Sequence, residues 1–332
     1  MKARRALDVR RRSLLGAVAL LPVAAAVGAA DHDDFPNKAI RLVVPFPPGG
    51  GADNLARAIM PKVSLALGKP IVIDNKPGAG GNVGAELVAG SPPDGYTLLY
   101  GTNGTHSINQ SLYHSLRFDP IKDFAPVSRM TEIAAMLVVN PQLPVTTTTQ
   151  LIRYAKANPG KVNFASAGNG TTSHLSGELF KTMAGIDIVH IPYRGGGAAV
   201  ADLISGQVQM MIDVMPNVYP LAKDGRIRGI AVSTAVRFPG APELPTIAES
   251  GVAGFEASAW DGILAPARTP EAIVNKLNAA IHTALADPEL IELLKSRGAR
   301  VVPSTPDEFA RHIAASTKKW AEVVKASGAK ID

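Results

Sequence analysis

The chain has 332 residues, no cysteine and a formal net charge of +6. Residues 1–30 contain six basic side chains and one acidic one, so residues 31–332 have a net charge of about +1. This composition excludes disulfides, thiolate metal sites and a cysteine nucleophile, and it gives no support for nucleic-acid binding. A near-neutral chain of about 300 residues is long enough for two domains with separate cores.

Residues 1–30 have the layout of a secretory signal peptide. A basic stretch, 2–12, precedes an apolar run, 14–27, and small residues follow that run. The run is shorter than the ~20 apolar residues that a transmembrane helix needs. We therefore expect export to the periplasm, with cleavage near Ala29 and Ala30. The paired arginines at the end of the basic stretch leave both the general secretory and the twin-arginine route open.

The first predicted strand after this segment, 40–44, ends in a loop rich in proline and glycine. A helical pattern follows over 53–67, and Asp53 is placed to cap that helix. Backbone N–H groups at a helix start have no partner within the helix, and the helix dipole favours negative charge there. The stretch therefore predicts a site for a carboxylate or a phosphate, although a plain strand–helix connection uses the same turn residues.

Strand-like and helix-like segments alternate along most of the chain, which predicts an α/β fold built from βαβ units with parallel sheets. The predicted strands are 40–44, 71–74, 97–101, 134–139, 162–166, 188–191, 209–213, 227–233 and 257–264. The predicted helices are 53–67, 82–89, 147–157, 173–184, 197–205, 217–223, 270–285, 288–297 and 305–327. Further glycine-rich turns at 77–82, 168–173 and 194–197 also follow strands, so we expect several backbone donors to converge in one crevice.

Two apolar strands are predicted to connect two domains. The segments 134–139 and 260–264 flank a self-contained α/β stretch, so the chain leaves one domain, builds a second and returns. We expect domain 1 to comprise 36–138 plus 257–332, and domain 2 to comprise 139–256. Two domains joined by two strands suit hinge closure around a ligand in the cleft between them.

Six short stretches together resemble one family. They are 45–50, 75–84, 93–99, 173–175 with 177–180, 189–195 and 243–249. In this order they resemble the substrate-binding proteins of tripartite tricarboxylate transporters, also called the Bug family, from residue 36 to about residue 330. The resemblance implies a two-domain periplasmic binding protein of the type II, Venus-flytrap kind, with parallel-rich sheets and helices on both sheet faces. It also implies capture of a small carboxylate-bearing ligand and its delivery to a membrane permease.

The resemblance further implies which residues hold the ligand. On one side of the cleft they are Phe46, Pro48, Gly49, Gly50 and Asp53. On the other side they are Ala167, Gly168, Thr171, Thr172, Ser173 and His174, and strand ends add Tyr193, Arg194 and Asp213. We expect main-chain donors to bind one carboxylate common to many ligands, at Gly49, Gly50, Gly168 and Thr171. The rest of the ligand is expected to contact the side chains of Phe46, Tyr193, Arg194 and Asp213.

Several of these residues allow two interpretations. Asp213 can accept hydrogen bonds from a ligand ammonium group, or it can cap the strand end before Pro216. Arg194 can pair with a carboxylate in a bidentate contact, or stay solvated beside a glycine-rich turn. His174 and Glu178 have the i, i+4 spacing of metal ligands, but the sequence shows no third ligand nearby, so no metal is predicted.

A binding protein without catalysis is favoured over a periplasmic enzyme that acts on small organic acids. Ser173 and His174 adjoin in the chain, and adjacent residues rarely reach the geometry that activates a nucleophile. Presentation of the ligand to a sensor protein is a further alternative. We expect a monomer without cofactor or nucleic acid, whose partners are a small carboxylate and the permease subunits. Di- and tricarboxylates, amino acids and aromatic acids all stay open as ligands.

Overall fold

The structure, a computed structural model, describes residues 34–327, 330 and 331. In these residues the chain forms two mixed β-sheets with helices packed around them, which confirms the predicted two-domain α/β fold. The predicted signal peptide, 1–30, and its cleavage site lie outside the described residues. Among the helices described, none combines the length and the apolar character of a membrane span.

The strands are numbered in chain order. They are β1 Ile40–Val44, β2 Ile71–Asn75, β3 Thr97–Thr102, β4 Phe124–Ile133, β5 Ala135–Val139, β6 Val162–Ser166, β7 Ile188–Pro192, β8 Met210–Val214, β9 Arg228–Val232, β10 Ala259–Pro266 and β11 Ala299–Val301. The first sheet has the order β11-β4-β10-β3-β1-β2, and the second has the order β7-β6-β8-β5-β9.

Strand direction follows from how each strand enters its sheet. Strands of the predicted strand–helix–strand units pair in parallel, as β1 does with β2 and β3, and β6 with β7 and β8. In contrast, β5 and β10 arrive from the other sheet and pair antiparallel with both of their neighbours. The sheets are therefore mixed, and less dominated by parallel pairs than the alternation of elements predicted.

The helices surround these sheets. They are α1 Gly51–Leu67, α2 Asn82–Ala89, α3 Asn109–Leu112, α4 Thr148–Ala157, α5 Thr172–Ala184, α6 Gly196–Ser205, α7 Met215–Lys223, α8 Glu271–Leu285, α9 Pro288–Ser296 and α10 Pro306–Ser327. Helix α1 shows why they form, because Leu55, Ile59 and Val63 recur every four residues and are buried in the core of the first sheet.

The chain crosses between the sheets at Ala134. Strand β4 ends at Ile133 in the first sheet, and β5 begins at Ala135 in the second. The predicted domain boundary at 138/139 falls inside β5, whose five buried residues all belong to the second sheet. Strand pairing therefore supports a first boundary at Ala134, and the domain limits stay a prediction.

Helix α10 packs on the cores of both sheets. Its first half contributes Phe309 and Ile313 to a buried cluster with Trp260 of β10. Its second half contributes Trp320 to the cluster around the second sheet, which includes Phe164. The C-terminal helix thus belongs to both domains by its contacts, although the sequence assigned it to the first.

Candidate functional site

A cavity of about 240 Å³ lies between the two sheets, with walls from both. Residues of the first sheet and its loops that line it are Phe46, Pro47, Pro48, Gly50, Gly51, Ala52, Thr102, Asn103, Gly104, Ile133, Ala259, Trp260 and Asp261. Residues of the second sheet and its loops are Ala167, Thr171, Thr172, Ser173, Arg194, Gly195, Gly196, Gly197, Ala198, Asp213 and Val214. Nine predicted site residues are among them, and Gly49, Asp53, Gly168, His174 and Tyr193 are not.

Glycine allows the two walls of the cavity to touch. A Cβ atom added at Gly51 would lie 2.5 Å from Cγ2 of Val214, which belongs to the opposite wall. A Cβ atom at Gly195 would lie 2.8 Å from Cγ of Pro47 across the same gap. Contacts this close leave no room for a side chain, so the cleft is closed in this structure.

Three helices begin at the cavity. The first-turn residues that line it are Gly51 and Ala52 of α1, Thr172 and Ser173 of α5, and Gly196 and Gly197 of α6. First-turn N–H groups have no partner within their own helix, and each helix start carries partial positive charge. The cavity therefore suits an anionic ligand, as the glycine-rich loops predicted.

Asn103 supplies a further donor that the sequence did not predict. Its side chain is buried, and its Oδ1 accepts a hydrogen bond of 2.9 Å from the Thr172 hydroxyl. Its Nδ2 has no hydrogen-bond partner among the described residues, and Asn103 lines the cavity. A buried donor without a partner is costly, so the cavity is where its partner is expected.

The loop after β6 uses most of its own backbone donors. Gly168 N donates to Ser166 Oγ at 3.2 Å, and Thr171 N donates to the Gly168 carbonyl at 3.3 Å. Ala167 N donates to Ser173 Oγ at 2.8 Å. The main-chain donors predicted at Gly168 and Thr171 are thus engaged within the protein. The hydroxyls of Thr171, Thr172 and Ser173 also donate within the protein, so the donors expected for a ligand on this side are the first N–H groups of α5.

The side chain of Asp53 accepts hydrogen bonds that hold the loop between β1 and α1 in place. The helix cap of α1 is Gly50, not Asp53 as predicted, and Asp53 lies in the first turn. Its Oδ2 accepts hydrogen bonds of 2.9 Å from Gly49 N and from Arg57 Nε, and its Oδ1 accepts one from Asn75. Burial opposes ionisation, but the bonds from Arg57, Gly49 and Asn75 prevail and lower the pKa of Asp53. The donor predicted at Gly49 is therefore also engaged.

Tyr193 and Gly168 line a neighbouring cavity of about 330 Å³ instead. The Tyr193 hydroxyl donates to Asp202 Oδ2 at 2.7 Å, and burial together with Asp202 raises the pKa of Tyr193 to about 12. Arg194 lines both cavities and is exposed. Its guanidinium has no hydrogen bond or ion pair with any described residue, so it is free to meet a ligand.

His174 stacks on His190 behind the ligand loop, with ring centroids 4.2 Å apart and planes at 23°. Burial lowers the pKa of His174 to about 4 and that of His190 to about 3, so both imidazoles are neutral. With Glu178 they form a group whose ligand atoms lie within 4.8 Å of one another, so a third metal-ligating residue is present after all. An imidazole binds a metal in its ring plane, and stacked rings would have to turn to share an ion.

Asp213 lies at the end of β8, where it faces both the cavity and α6. Its Oδ2 accepts a hydrogen bond of 2.5 Å from Asn217 Nδ2 and would lie 3.1 Å from a Cβ atom at Gly196, the first residue of α6. Burial raises the pKa of Asp213 to about 6, although bonds from Asn217 and Val214 oppose the shift. The start of α6 thus compensates part of this negative charge.

Asp261 is a second carboxylate at the cavity, and the sequence did not predict it. It lies on β10 and is 1% exposed. The Thr131 hydroxyl donates to its Oδ1 at 2.5 Å, and the Tyr100 hydroxyl donates to its Oδ2. Burial raises the pKa of Asp261 to about 6. A charged residue inside an apolar strand, beside Trp260, was the available signal.

Comparison with known proteins identifies the family. Residues 55–329 match the model of the tripartite tricarboxylate transporter family receptor, TctC. The chain is 38% identical to protein BugT of Bordetella pertussis over 315 residues, 95% of this chain and 96% of that protein. It matches Rpa4515 of R. palustris, solved with adipate, at 40% identity and a TM-score of 0.88, over 90% of this chain and 100% of the other.

It also matches MatC of Rhodopseudomonas palustris, solved with bound malate, at 36% identity and a TM-score of 0.83, over 87% of this chain and 100% of the other. The similarity extends over both sheets and the helices between them, so the resemblance seen in the sequence is confirmed. The chain belongs to the TctC family of solute-binding receptors, the Bug proteins, which capture ligands for tripartite transporters.

Proposed function

We propose that this chain captures a small carboxylate-bearing ligand in the cavity between its domains and delivers it to the permease subunits of a tripartite transporter. One observation carries the proposal: the unpaired amide of Asn103 and the starts of α1, α5 and α6 converge on one closed cavity. Donors of this kind bind a carboxylate without requiring a cationic side chain. The relatives solved with adipate and malate support a carboxylate as the ligand class.

We propose binding without catalysis. The Thr171 hydroxyl donates to the Gly168 carbonyl at 2.6 Å, so the Ser173 hydroxyl, 3.0 Å away, donates to Thr171. Ser173 therefore donates to another hydroxyl and not to a base. The His174 Nδ1 accepts a hydrogen bond from Gly170 N, and among the described residues no hydrogen bond joins His174 to the Ser173 hydroxyl. A nucleophile needs a base within hydrogen-bond reach, and this pair does not meet that condition.

The family consists of periplasmic binding proteins, so a periplasmic location is expected. We propose that residues 1–30 are a signal peptide cleaved near Ala29 and Ala30, and that the mature chain is a monomer that binds no nucleic acid. Its near-neutral charge and the absence of a basic cluster support the last point.

The test is a thermal-shift and calorimetric screen with succinate, glutarate, adipate and citrate, each paired with its neutral methyl ester. Acids that bind should stabilise the protein by about 2.7 kcal/mol at a hundredfold excess over Kd, because ligand binds only the folded state. The esters should give no shift. Stabilisation by none of these acids and by neither aspartate nor glutamate, or by acid and ester alike, would contradict the proposal.

The variant Asn103→Asp replaces the unpaired donor by an acceptor and adds negative charge beside the proposed carboxylate. We expect at least a hundredfold loss of affinity for every acid that binds, since a buried like-charge contact replaces a hydrogen bond. Gln207→Glu is the matched control, because it makes the same change of charge at an exposed position outside the cavity. Equal losses in both variants would show that the effect is not local.

A further inference from the structure

Asp261 is a buried carboxylate whose oxygens face only neutral groups of the protein. Its partners are the hydroxyls of Thr131 and Tyr100, both of which are themselves buried, and the backbone N–H of Thr131. Within the part of the chain that the structure describes, Asp261 takes part in no ion pair. The remaining side of the carboxylate borders the cavity.

The other carboxylate at the cavity differs in this respect. Asp213 lies against the first residue of α6, and Asn217 donates to it, so part of its charge is compensated. Arg194 also lines the cavity, but it forms no ion pair with either aspartate in the described residues. Asp261 is thus the carboxylate at the cavity without a compensating charge or helix start.

A buried carboxylate costs stability unless it is paired with a cation, because hydroxyl donors replace only part of its lost hydration. These three donors leave about one of the four acceptor sites of the carboxylate free, and the cavity is where a further donor can approach. The cavity therefore has donors for an anion at Asn103 and α5, and an uncompensated acceptor at Asp261. A ligand with both charges would satisfy both.

We infer that the ligand carries a primary ammonium group in addition to its carboxylate, and that Asp261 is the residue that selects for it. This inference rests on the proposed function, since it concerns the same cavity. The ligand class is then an amino-substituted carboxylate, such as an acidic amino acid or an amino acid with its amine at the far end of the chain.

The experiment uses pairs of acids that differ only in the amine: aspartate with succinate, glutamate with glutarate, and γ-aminobutyrate with butyrate. Calorimetric titration of the mature protein should show at least tenfold tighter binding of the amino acid in at least one pair. In Asp261→Asn, which keeps the size and removes the charge, that preference should fall at least tenfold. Asp224→Asn, at an exposed position outside the cavity, is the control and should leave the preference within about threefold, while Asp213→Asn tests the other carboxylate at the cavity.

The outcomes separate the two proposals. If the plain acids bind as tightly as their amino partners, the inference about Asp261 is wrong and carboxylate capture stands. If Asp213→Asn and not Asp261→Asn abolishes the preference, Asp213 contacts the amine and the assignment to Asp261 is wrong. If no carboxylate of either kind binds, the proposed function itself fails. Should Asp261→Asn not fold, the preference of the unmodified protein within each pair still decides the ligand class.

Discussion

The hydroxyl of Thr172 donates a hydrogen bond of 2.9 Å to the side-chain oxygen of Asn103, and the two residues follow strands of different sheets. Thr172 is the first residue of α5, the helix that follows β6 in the chain, whereas Asn103 follows β3. The bond is buried and lies at the cavity, so it both joins the closed domains and orients the Asn103 amide nitrogen for a ligand. Closure and ligand binding therefore share one side chain.

The variant Thr172→Val tests this coupling. Removing the hydroxyl leaves the Asn103 oxygen without its donor in the closed state, and one such bond contributes about 1 kcal/mol. We expect roughly fivefold weaker binding of every ligand in calorimetric titration. Thr182→Val on the exposed side of α5 is the control and should bind normally. Unchanged affinity in Thr172→Val would show that the bond contributes nothing to closure.

Gly51 and Gly50 form a matched pair for testing the close contact of the walls. A Cβ atom at Gly51 would lie 2.5 Å from Val214 Cγ2, and Val214 is stiff because it is β-branched. Gly51→Ala should therefore disfavour the closed cleft by about 1–3 kcal/mol and weaken all ligands alike. At Gly50 the nearest atom to an added Cβ is Pro47 O at 3.6 Å, so Gly50→Ala should bind within about twofold of the unmodified protein. Equal titrations for both variants would contradict this account.

The His174–His190 stack should make stability fall in acid. Burial lowers the pKa of His190 to about 3 from an unfolded value of 6.5, so the unfolded chain binds more protons in this interval. Its contribution to the free energy of unfolding is complete above pH ~6.5 and is lost as the pH falls towards ~3. His190→Gln should reduce the slope of unfolding free energy against pH by up to about 1.4 kcal/mol per unit.

Urea unfolding between pH ~7 and ~4.5 measures this slope. The control is His114→Gln, which removes an imidazole from an exposed position. A slope in His190→Gln equal to that of the unmodified protein would mean that His190 has the same pKa in the folded and in the unfolded chain.

Ionisation of Asp261 should lower the free energy of unfolding of the ligand-free protein as the pH rises, which is opposite to the effect of His190. Its folded pKa of about 6 lies above the unfolded value of 3.8, so its ionisation destabilises the fold. That cost is absent below pH ~3.8, grows through pH ~6 and is complete above it. The stability of Asp261→Asn relative to the unmodified protein should therefore rise between pH ~4 and ~7, by at most about 3 kcal/mol. A difference that does not vary with pH would show that Asp261 has the same pKa in the folded and in the unfolded chain.

Local patterns predicted most elements because each forms with its chain neighbours. Strand β6 and helix α2 were predicted with the bounds that the structure has. Strand β4 was missed because Pro126, Arg129 and Glu132 interrupt its apolar pattern, and only its long antiparallel pairing with β10 makes it a strand. Three-residue β11 is too short to show a period and depends on the edge of β4 in the same way.

The candidate site also has features that the sequence predicts and features that it does not. Phe46, Thr172 and Arg194, which the resemblance implied as ligand contacts, line the cavity, and their contact with a ligand stays a prediction. The sequence could not predict which backbone donors remain free for a ligand. The Gly49 N–H, for example, donates to Asp53, which lies in the first turn of α1. Asp261 depends on β10 lying between β3 and β4, which brings hydroxyls from both neighbours to one carboxylate. That order of strands has no local signature.

The chain has two tryptophans, one on a strand that lines the cavity between the sheets and one on the helix that packs on both cores. Trp260 lines the cavity from β10, and its indole N–H donates to Ser316 Oγ of α10 at 2.9 Å. Trp320 lies further along α10, in the core around the second sheet. Any rotation of one domain against the other changes the surroundings of an indole, so the protein carries an intrinsic fluorescent reporter of its own opening and needs no attached dye.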